Sequence, residues 1–250
     1  MAVCEMHFNA SAALGKMTAA NVIIPEGKKG PFPVFYLLHG MSDDHSAWVR
    51  RTSIERYVEG LPLIVVMPDG GRGFYVDAKT RPNYAWDTYI TRDLAGFVDS
   101  TFQTIPGRRG RVIAGLSMGG YGALSIALKH PDMFCAAASH SGAVGFASRP
   151  LWKEKWWHAE FGPVLGKNPK GGPDDLAKLV TTMDKSRLPA LHIDCGKKDF
   201  LIGENRAFHR HLNKHKVPHV YREHPGQHNW EYWDLHIREV IAFFRKELGI

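Results

Sequence analysis

The sequence predicts an α/β fold in which a mostly parallel sheet carries helices on both faces. Three observations predict it: short runs rich in β-branched and aromatic residues, helix-like stretches between them, and a length typical of one such domain. With 250 residues and a hydrophobic fraction of 44%, the chain is long enough to bury one large core. We therefore expect a single domain over residues 1–250.

The predicted strands are short and apolar, and most are separated by enough residues for a crossover helix. They cover residues 34–38, 63–67, 111–114, 135–139, 191–195 and 219–223. Residues 3–8 and 20–24 are expected to add an antiparallel edge. The predicted helices cover residues 88–102, 118–129, 201–216 and 230–248. In the last, apolar residues recur at spacings of three or four and form one stripe.

Residues 145–185 interrupt this alternation of strands and helices. They include Trp152, Trp156, Trp157 and Phe161, followed by a stretch rich in glycine and proline. We expect a short, cap-like insertion over the carboxyl edge of the sheet, where open α/β sheets bind ligands. The four aromatic side chains are candidates for the wall of a substrate pocket, and ordinary core packing is the alternative.

Composition limits the location and the partners of the protein. The chain has no secretory signal pattern at its start and no run of about 18 apolar residues, so we expect a cytoplasmic protein with no membrane partner. Three dispersed cysteines do not predict a disulfide framework. The net charge is +7, but no nucleic-acid-binding motif accompanies it, and we expect no nucleic-acid partner.

The strongest motif is Gly115-Leu116-Ser117-Met118-Gly119, directly after a predicted strand and before a predicted helix. This is the G-x-S-x-G nucleophile elbow in the strand-turn-helix context that the motif requires. Small residues permit the sharp turn, and the serine then stands at a helix amino terminus that favours developing negative charge. A glycine-rich turn with a capping serine is the alternative. The motif makes Ser117 the candidate nucleophile and predicts the α/β-hydrolase fold.

A serine hydroxyl needs a base and an orienting acid, which follow the elbow in the order acid, then histidine. Asp199 comes just after the strand predicted at 191–195 and is the candidate acid, with Asp194 as its rival inside the strand. His228 lies in a turn-forming stretch after the last strand and is the candidate base. The rival base is His224.

Two backbone N–H groups are expected to bind the oxyanion of the tetrahedral intermediate. One belongs to Met118, the residue after the nucleophile. The other is assigned to Met41, because His39-Gly40 ends an early strand with a glycine that permits close approach. An ordinary turn is the alternative for His39-Gly40.

Four histidines late in the chain also suggest a metal site. They are His209, His211, His215 and His219, of which His211 and His215 are one helical turn apart. No acidic or cysteine partner stands beside them at zinc spacing. We therefore predict an exposed basic helix and no metal.

Together these motifs resemble the putative esterase family of α/β hydrolases, which includes tributyrin esterases, esterase D, feruloyl esterases and mycolyltransferases. The resemblance covers nearly the whole chain and is strongest at residues 36–44, 66–70, 115–123 and 226–230, where it is most similar to the tributyrin esterase branch. It implies activity on short acyl esters, no metal or organic cofactor, and frequent assembly into homo-oligomers. It also implies the same triad and oxyanion amides. Gln227 departs from the glycine that many relatives carry.

These observations predict a serine carboxylesterase that cleaves short-chain acyl esters through an acyl-enzyme on Ser117. One alternative keeps the triad and changes the substrate to S-formylglutathione, or to feruloyl or acetyl groups on plant polysaccharide. In another, an acyltransferase, an alcohol replaces water at deacylation. A non-catalytic binding protein that retains the fold is the third.

Overall fold

The structure, a computed structural model, describes residues 1–148 and 154–250. Within these ranges, one eight-stranded sheet has the order β1-β2-β4-β3-β5-β6-β7-β8. Its strands are β1 (Ala2–Asn9), β2 (Met17–Ile24), β3 (Val34–Leu38), β4 (Ile64–Pro68), β5 (Arg111–Leu116), β6 (Ala136–His140), β7 (Ala190–Gly196) and β8 (Val220–His224). β2 pairs antiparallel with both β1 and β4, and the remaining neighbours pair in parallel.

Helices cover both faces of this sheet. They are α1 (Ser11–Leu14), α2 (Ala47–Arg51), α3 (Ile54–Val58), α4 (Trp86–Thr88), α5 (Ala95–Thr101), α6 (Met118–Lys129), α7 (Lys155–Leu165), α8 (Leu176–Thr182), α9 (Ile202–Lys214) and α10 (Trp230–Leu248). A π-helical segment, Tyr89–Leu94, joins α4 to α5. None of the helices in the described ranges is long and apolar enough to span a bilayer.

The central strands are apolar at every position because both of their sides are covered. Every residue of β3, β4, β5 and β6 is buried. On β3, Tyr36 and Leu38 pack into the core under α6, whereas Phe35 and Leu37 pack into the core under α10. Such continuous burial is typical of parallel strands between two helical layers.

The structure confirms the predicted α/β architecture, including the antiparallel edge formed by β1 and β2. α6 and α10 have the predicted bounds. The short helices α2 and α3 were not predicted, since each has only five residues. The predicted helix at 88–102 contains a π-helical segment that periodicity did not reveal.

Candidate active site

Six parallel strands, β3 to β8, deliver their following loops to one edge of the sheet. The parallel register aligns Leu38 with Gly115, Gly115 with Ser139, His140 with Asp194, and Gly196 with His224. The loops that follow β3, β5, β7 and β8 carry all of the predicted triad and oxyanion residues. The fold therefore brings residues that are far apart in sequence to the same carboxyl edge.

Ser117 occupies the turn between β5 and α6 in a strained conformation. Its φ of 53° and ψ of −113° belong to a region that favours glycine. Backbone bonds hold it there: its N–H donates to the His140 carbonyl at 2.9 Å, and its own carbonyl accepts from Ala143 at 2.9 Å. The side chain is half-buried and makes no capping hydrogen bond to α6. This argues against the alternative of a merely capping serine.

The elbow glycines are required by close backbone contacts. A Cβ on Gly115 would lie 2.5 Å from the backbone of Gly119, and a Cβ on Gly119 would lie 2.6 Å from the carbonyl oxygens of Leu38 and His39. Any larger residue would force the start of α6 away from β3. The glycines therefore set the height at which Ser117 stands above the sheet.

Asp199 and His228 are hydrogen-bonded to each other. Nδ1 of His228 lies 2.8 Å from Oδ2 of Asp199. The other carboxylate oxygen, Oδ1, accepts the backbone N–H of Leu201 at 2.8 Å, and the Asp199 side chain is buried. A carboxylate accepts and does not donate, so Nδ1 carries the proton and Nε2 is left with the lone pair.

Backbone hydrogen bonds connect the loop that carries Asp199 to the loop that carries His228. Beyond the ends of β7 and β8, Lys197 N–H donates to the His224 carbonyl and Lys198 N–H to the Gly226 carbonyl, both at 2.9 Å. One residue after His228, Asn229 caps α10 through its side-chain oxygen, which accepts from Tyr232 N–H at 3.1 Å. His228 is therefore fixed between a strand end and a helix start.

Two aromatic rings flank the imidazole of His228. Trp233 meets it edge-on with ring centroids 4.9 Å apart, and Phe200 lies against it at 4.5 Å. Trp233 is buried, whereas the Phe200 side chain is exposed. One flank of the imidazole is thus closed by the core, and the other faces solvent.

His39 orients the peptide that carries the Met41 N–H. The imidazole is buried, with Nδ1 2.7 Å from the Gly40 carbonyl oxygen, and Nε2 accepts the Gly70 N–H at 2.7 Å. Nδ1 is therefore the donor. Because C=O and N–H point in opposite directions across a trans peptide, this bond turns the Met41 N–H away from His39.

The loop that contains Met41 passes beside the elbow. A Cβ on Gly40 would lie 3.8 Å from the Cβ of Ser117. Met118 is the first residue of α6, and the first N–H groups of a helix have no partner within the helix. Gly40, which precedes Met41, therefore lies beside Ser117 in space, and Met118 follows Ser117 in the chain.

The rival acid and base lie in other environments. Asp194 accepts the Tyr232 hydroxyl at 2.9 Å, and its Oδ2 lies 2.7 Å from Nδ1 of the buried His140. Burial alone would raise the pKa of Asp194, but the charge and hydrogen bond of His140 outweigh it and lower that pKa. His224 stacks on His236 at 4.0 Å. Neither rival takes part in the pair formed by Asp199 and His228.

The aromatic residues of the predicted insertion differ in burial. Trp157 and Phe161 are buried in a cluster with Phe74 and Phe146, in which centroid distances run from 3.4 to 6.2 Å. These two side chains therefore pack in the core, which is the alternative to a pocket wall that the sequence left open. Trp156 is 55% exposed. Trp152 lies outside the described residues.

Among the described residues, one group of three side chains has ligand atoms close enough to share a metal ion: His224, His236 and Glu239. The two imidazoles are nearly parallel, with an interplanar angle of 12° and centroids 4.0 Å apart. A metal binds imidazole in the plane of the ring, and two stacked planes have no such point in common. The group is thus not preformed for a metal. The four histidines considered from the sequence make contacts in pairs, His209 with His219 and His211 with His215.

Sequence reasoning did not identify two side chains of this site. The role of the His39 ring depends on the N–H of Gly70, which is distant in sequence, although its position before Gly40 is a usable signal. Phe200 directly follows the candidate acid in sequence. Its exposure and its ring contact with His228 are visible only in the structure.

Known proteins with similar sequence and structure are esterases and related serine hydrolases. The family model described as "Putative esterase" matches residues 11–244. An acetyl esterase of Caldicellulosiruptor saccharolyticus is 27% identical, over 98% of this chain and 99% of the relative.

Two solved structures from Staphylococcus aureus are similar to this one. The fluorophosphonate-binding serine hydrolase F is 30% identical, with a TM-score of 0.84 over 97% of each chain. An S-formylglutathione hydrolase is also 30% identical, with a TM-score of 0.82 over 97% of this chain and 98% of the other. These similarities confirm the α/β-hydrolase fold, while the tributyrin branch stays a prediction. The chain is a carboxylic ester hydrolase and belongs to the family described as "Putative esterase".

Proposed function

We propose that the protein is a serine esterase that hydrolyses short-chain acyl esters through an acyl-enzyme on Ser117, with His228 as general base and Asp199 as the orienting acid. The observation that carries the proposal is the 2.8 Å hydrogen bond from His228 Nδ1 to Asp199, at the sheet edge that also carries the strained elbow serine. A serine is activated by a base that a buried carboxylate orients, and this sheet edge carries both that pair and the partly exposed Ser117.

In the first step, Oγ of Ser117 attacks the ester carbonyl carbon while its proton moves to Nε2 of His228. The imidazolium that forms is stabilised by the Asp199 carboxylate, which is nearly excluded from water and therefore weakly screened. The bond to the leaving oxygen then breaks, and His228 returns its proton to that oxygen. An acyl-enzyme and a free alcohol result.

The oxyanion of the tetrahedral intermediate is bound by the N–H groups of Met41 and Met118. These donors need no reorganisation during the reaction, because His39 fixes one peptide and the start of α6 fixes the other. Such fixed donors stabilise the charge that develops on the carbonyl oxygen more than they stabilise the ground-state ester. His39 is accordingly a positioning residue.

In the second step, water attacks the acyl carbon and His228 takes the proton of the water. The serine oxygen leaves with that proton, and the carboxylic acid is released. No metal or organic cofactor takes part in either step. An acyltransferase would use an alcohol in place of this water.

A short acyl group is favoured by two considerations. Two relatives are named for acyl groups of one or two carbons, formyl and acetyl. The aromatic cluster around Phe161 is closely packed, since Phe161 has 0% and Trp157 has 3% of its surface exposed. The centroids of the two rings lie 4.5 Å apart, a separation too small for an acyl chain to pass between them.

We further infer a cytoplasmic, single-domain protein whose residues 145–185 form a cap at the sheet edge and which assembles as a homo-oligomer. Support for a reducing compartment comes from three free cysteines, Cys4, Cys135 and Cys195. Sedimentation of the purified protein tests the assembly.

The test is hydrolysis of p-nitrophenyl acetate and butyrate by the wild type, Ser117→Ala and Ser141→Ala. Ser141 is the matched control, because it is also a serine with positive φ directly after a strand of this edge. We expect Ser117→Ala to lower kcat/KM by a factor of about 1000 or more and the control to stay active. Retained activity in Ser117→Ala would refute the proposal. Specificity constants on S-formylglutathione and feruloyl esters decide between the substrate alternatives.

A further inference from the structure

Phe200 is the most exposed large hydrophobic side chain among the described residues. It is 75% exposed, whereas Trp156 and Leu235 are 55% exposed. A single exposed apolar residue on its own has no special meaning. Phe200 differs from such a residue because of its position: the centroid of its ring lies 4.5 Å from that of the His228 imidazole.

The backbone holds the Phe200 ring in this exposed place. Asp199 and Leu201, its two neighbours in sequence, are buried. The turn is closed by hydrogen bonds from Asp199 N–H to the Gly196 carbonyl at 3.0 Å and from Ile202 N–H to the Asp199 carbonyl at 3.1 Å. The side chain between two buried neighbours is therefore directed outward.

The chemistry of the leaving group brings it to the same place. His228 must return a proton from Nε2 to the leaving oxygen, so that oxygen comes within about 3 Å of the imidazole. Trp233 closes one flank of the imidazole and is only 5% exposed. Of the two rings that flank the imidazole, only Phe200 is open to solvent and therefore accessible to a leaving group at Nε2.

We infer that Phe200 forms the leaving-group subsite and that it favours esters of apolar, above all aromatic, alcohols. The inference rests on the proposed role of His228 as base. The ring offers its exposed face for stacking against an aryl group, and burial of that face on binding removes apolar surface from water. The alcohol leaves Phe200 at the end of acylation, while the acyl group stays on Ser117. Phe200 therefore acts on acylation and not on deacylation.

The experiment compares phenyl acetate with ethyl acetate, which form the same acetyl-enzyme. Both kcat/KM values and the deacylation rate constant are measured for the wild type, Phe200→Ala and Phe200→Leu. Leu235→Ala is the control, because Leu235 is also an exposed large hydrophobic residue. Thermal unfolding of each variant shows that the fold is retained, and Phe200→Leu keeps apolar bulk at the site.

For Phe200→Ala we expect kcat/KM on phenyl acetate to fall about tenfold and on ethyl acetate less than about twofold, with deacylation unchanged. Phe200→Leu should lie between the wild type and Phe200→Ala, and Leu235→Ala should match the wild type. An equal fall on both esters, no fall on either, or slower deacylation would overturn the inference. If instead the wild type forms no acyl-enzyme on Ser117, the proposed function itself fails.

Discussion

Nδ1 of His228 lies 2.8 Å from Oδ2 of Asp199, although the two residues are 29 positions apart in sequence. The parallel pairing of β7 with β8 creates this proximity, and backbone bonds from Lys197 and Lys198 extend it beyond the strand ends. The bond fixes the proton on Nδ1 and leaves Nε2 to accept another. It accounts for the choice of Asp199 over Asp194.

Exchanging each of these two acids for its amide separates catalysis from stability. Asp199→Asn should lower kcat by a factor of about 10⁴, because the amide no longer selects the Nδ1–H tautomer of His228. Asp194→Asn should lower the free energy of unfolding by about 1–3 kcal/mol, because Asp194 is buried against Tyr232 and His140. Steady-state kinetics and urea denaturation of both variants check this. The reverse pattern would make Asp194 the acid.

Removal of the His39 ring should weaken the oxyanion hole. We expect His39→Ala to lower kcat by a factor of about 10–100 with little change in KM, because the Gly40 carbonyl loses the 2.7 Å bond that orients the Met41 N–H. His45→Ala is the control, since His45 is a half-buried histidine a few residues further along. A rise in KM with constant kcat would show that His39 acts on substrate binding instead.

The strained backbone of Ser117 should be detectable as a difference in unfolding free energy between two variants at this position. Both Ser117→Ala and Ser117→Gly remove the hydroxyl, but only glycine adopts a φ of 53° and ψ of −113° without strain. We expect the glycine variant to be more stable than the alanine variant by about 1 kcal/mol in denaturant unfolding. Glycine normally destabilises relative to alanine, so the usual order would show that the elbow is relaxed.

His192 should make the protein less stable in acid. Burial lowers the pKa of His192 to about 4, against an ordinary value of 6.5, so the unfolded chain takes up a proton that the folded protein does not. Stability therefore falls as the pH drops from about 6.5 to about 4. His192→Gln should reduce the loss of unfolding free energy between pH 7 and pH 4.5 by about 2 kcal/mol. Parallel pH curves for the two proteins would contradict this.

The fold was predictable because its signals are local. Each central strand is an apolar run, and the elbow carries its two glycines beside the serine. The proximity of Asp199 and His228 was predictable because each comes shortly after a strand that the parallel order sends to the same edge.

The remaining features depend on contacts that no local pattern encodes. Trp156 and Trp157 are adjacent in sequence, yet one is 55% exposed and the other is 3% exposed. The difference arises from packing against Phe74 and Phe146, which come from other parts of the chain. The bond of His39 to Gly70 is of the same long-range kind.

Labelling with a fluorophosphonate probe, followed by peptide mass spectrometry, tests the central claim most directly. The probe reacts only with a serine whose proton a nearby base removes. We expect one adduct per chain on the peptide that contains Ser117, none in Ser117→Ala, and much slower labelling in His228→Ala. An adduct on another serine, or equally fast labelling without the His228 imidazole, would contradict the assignment of Ser117 and His228 as nucleophile and base.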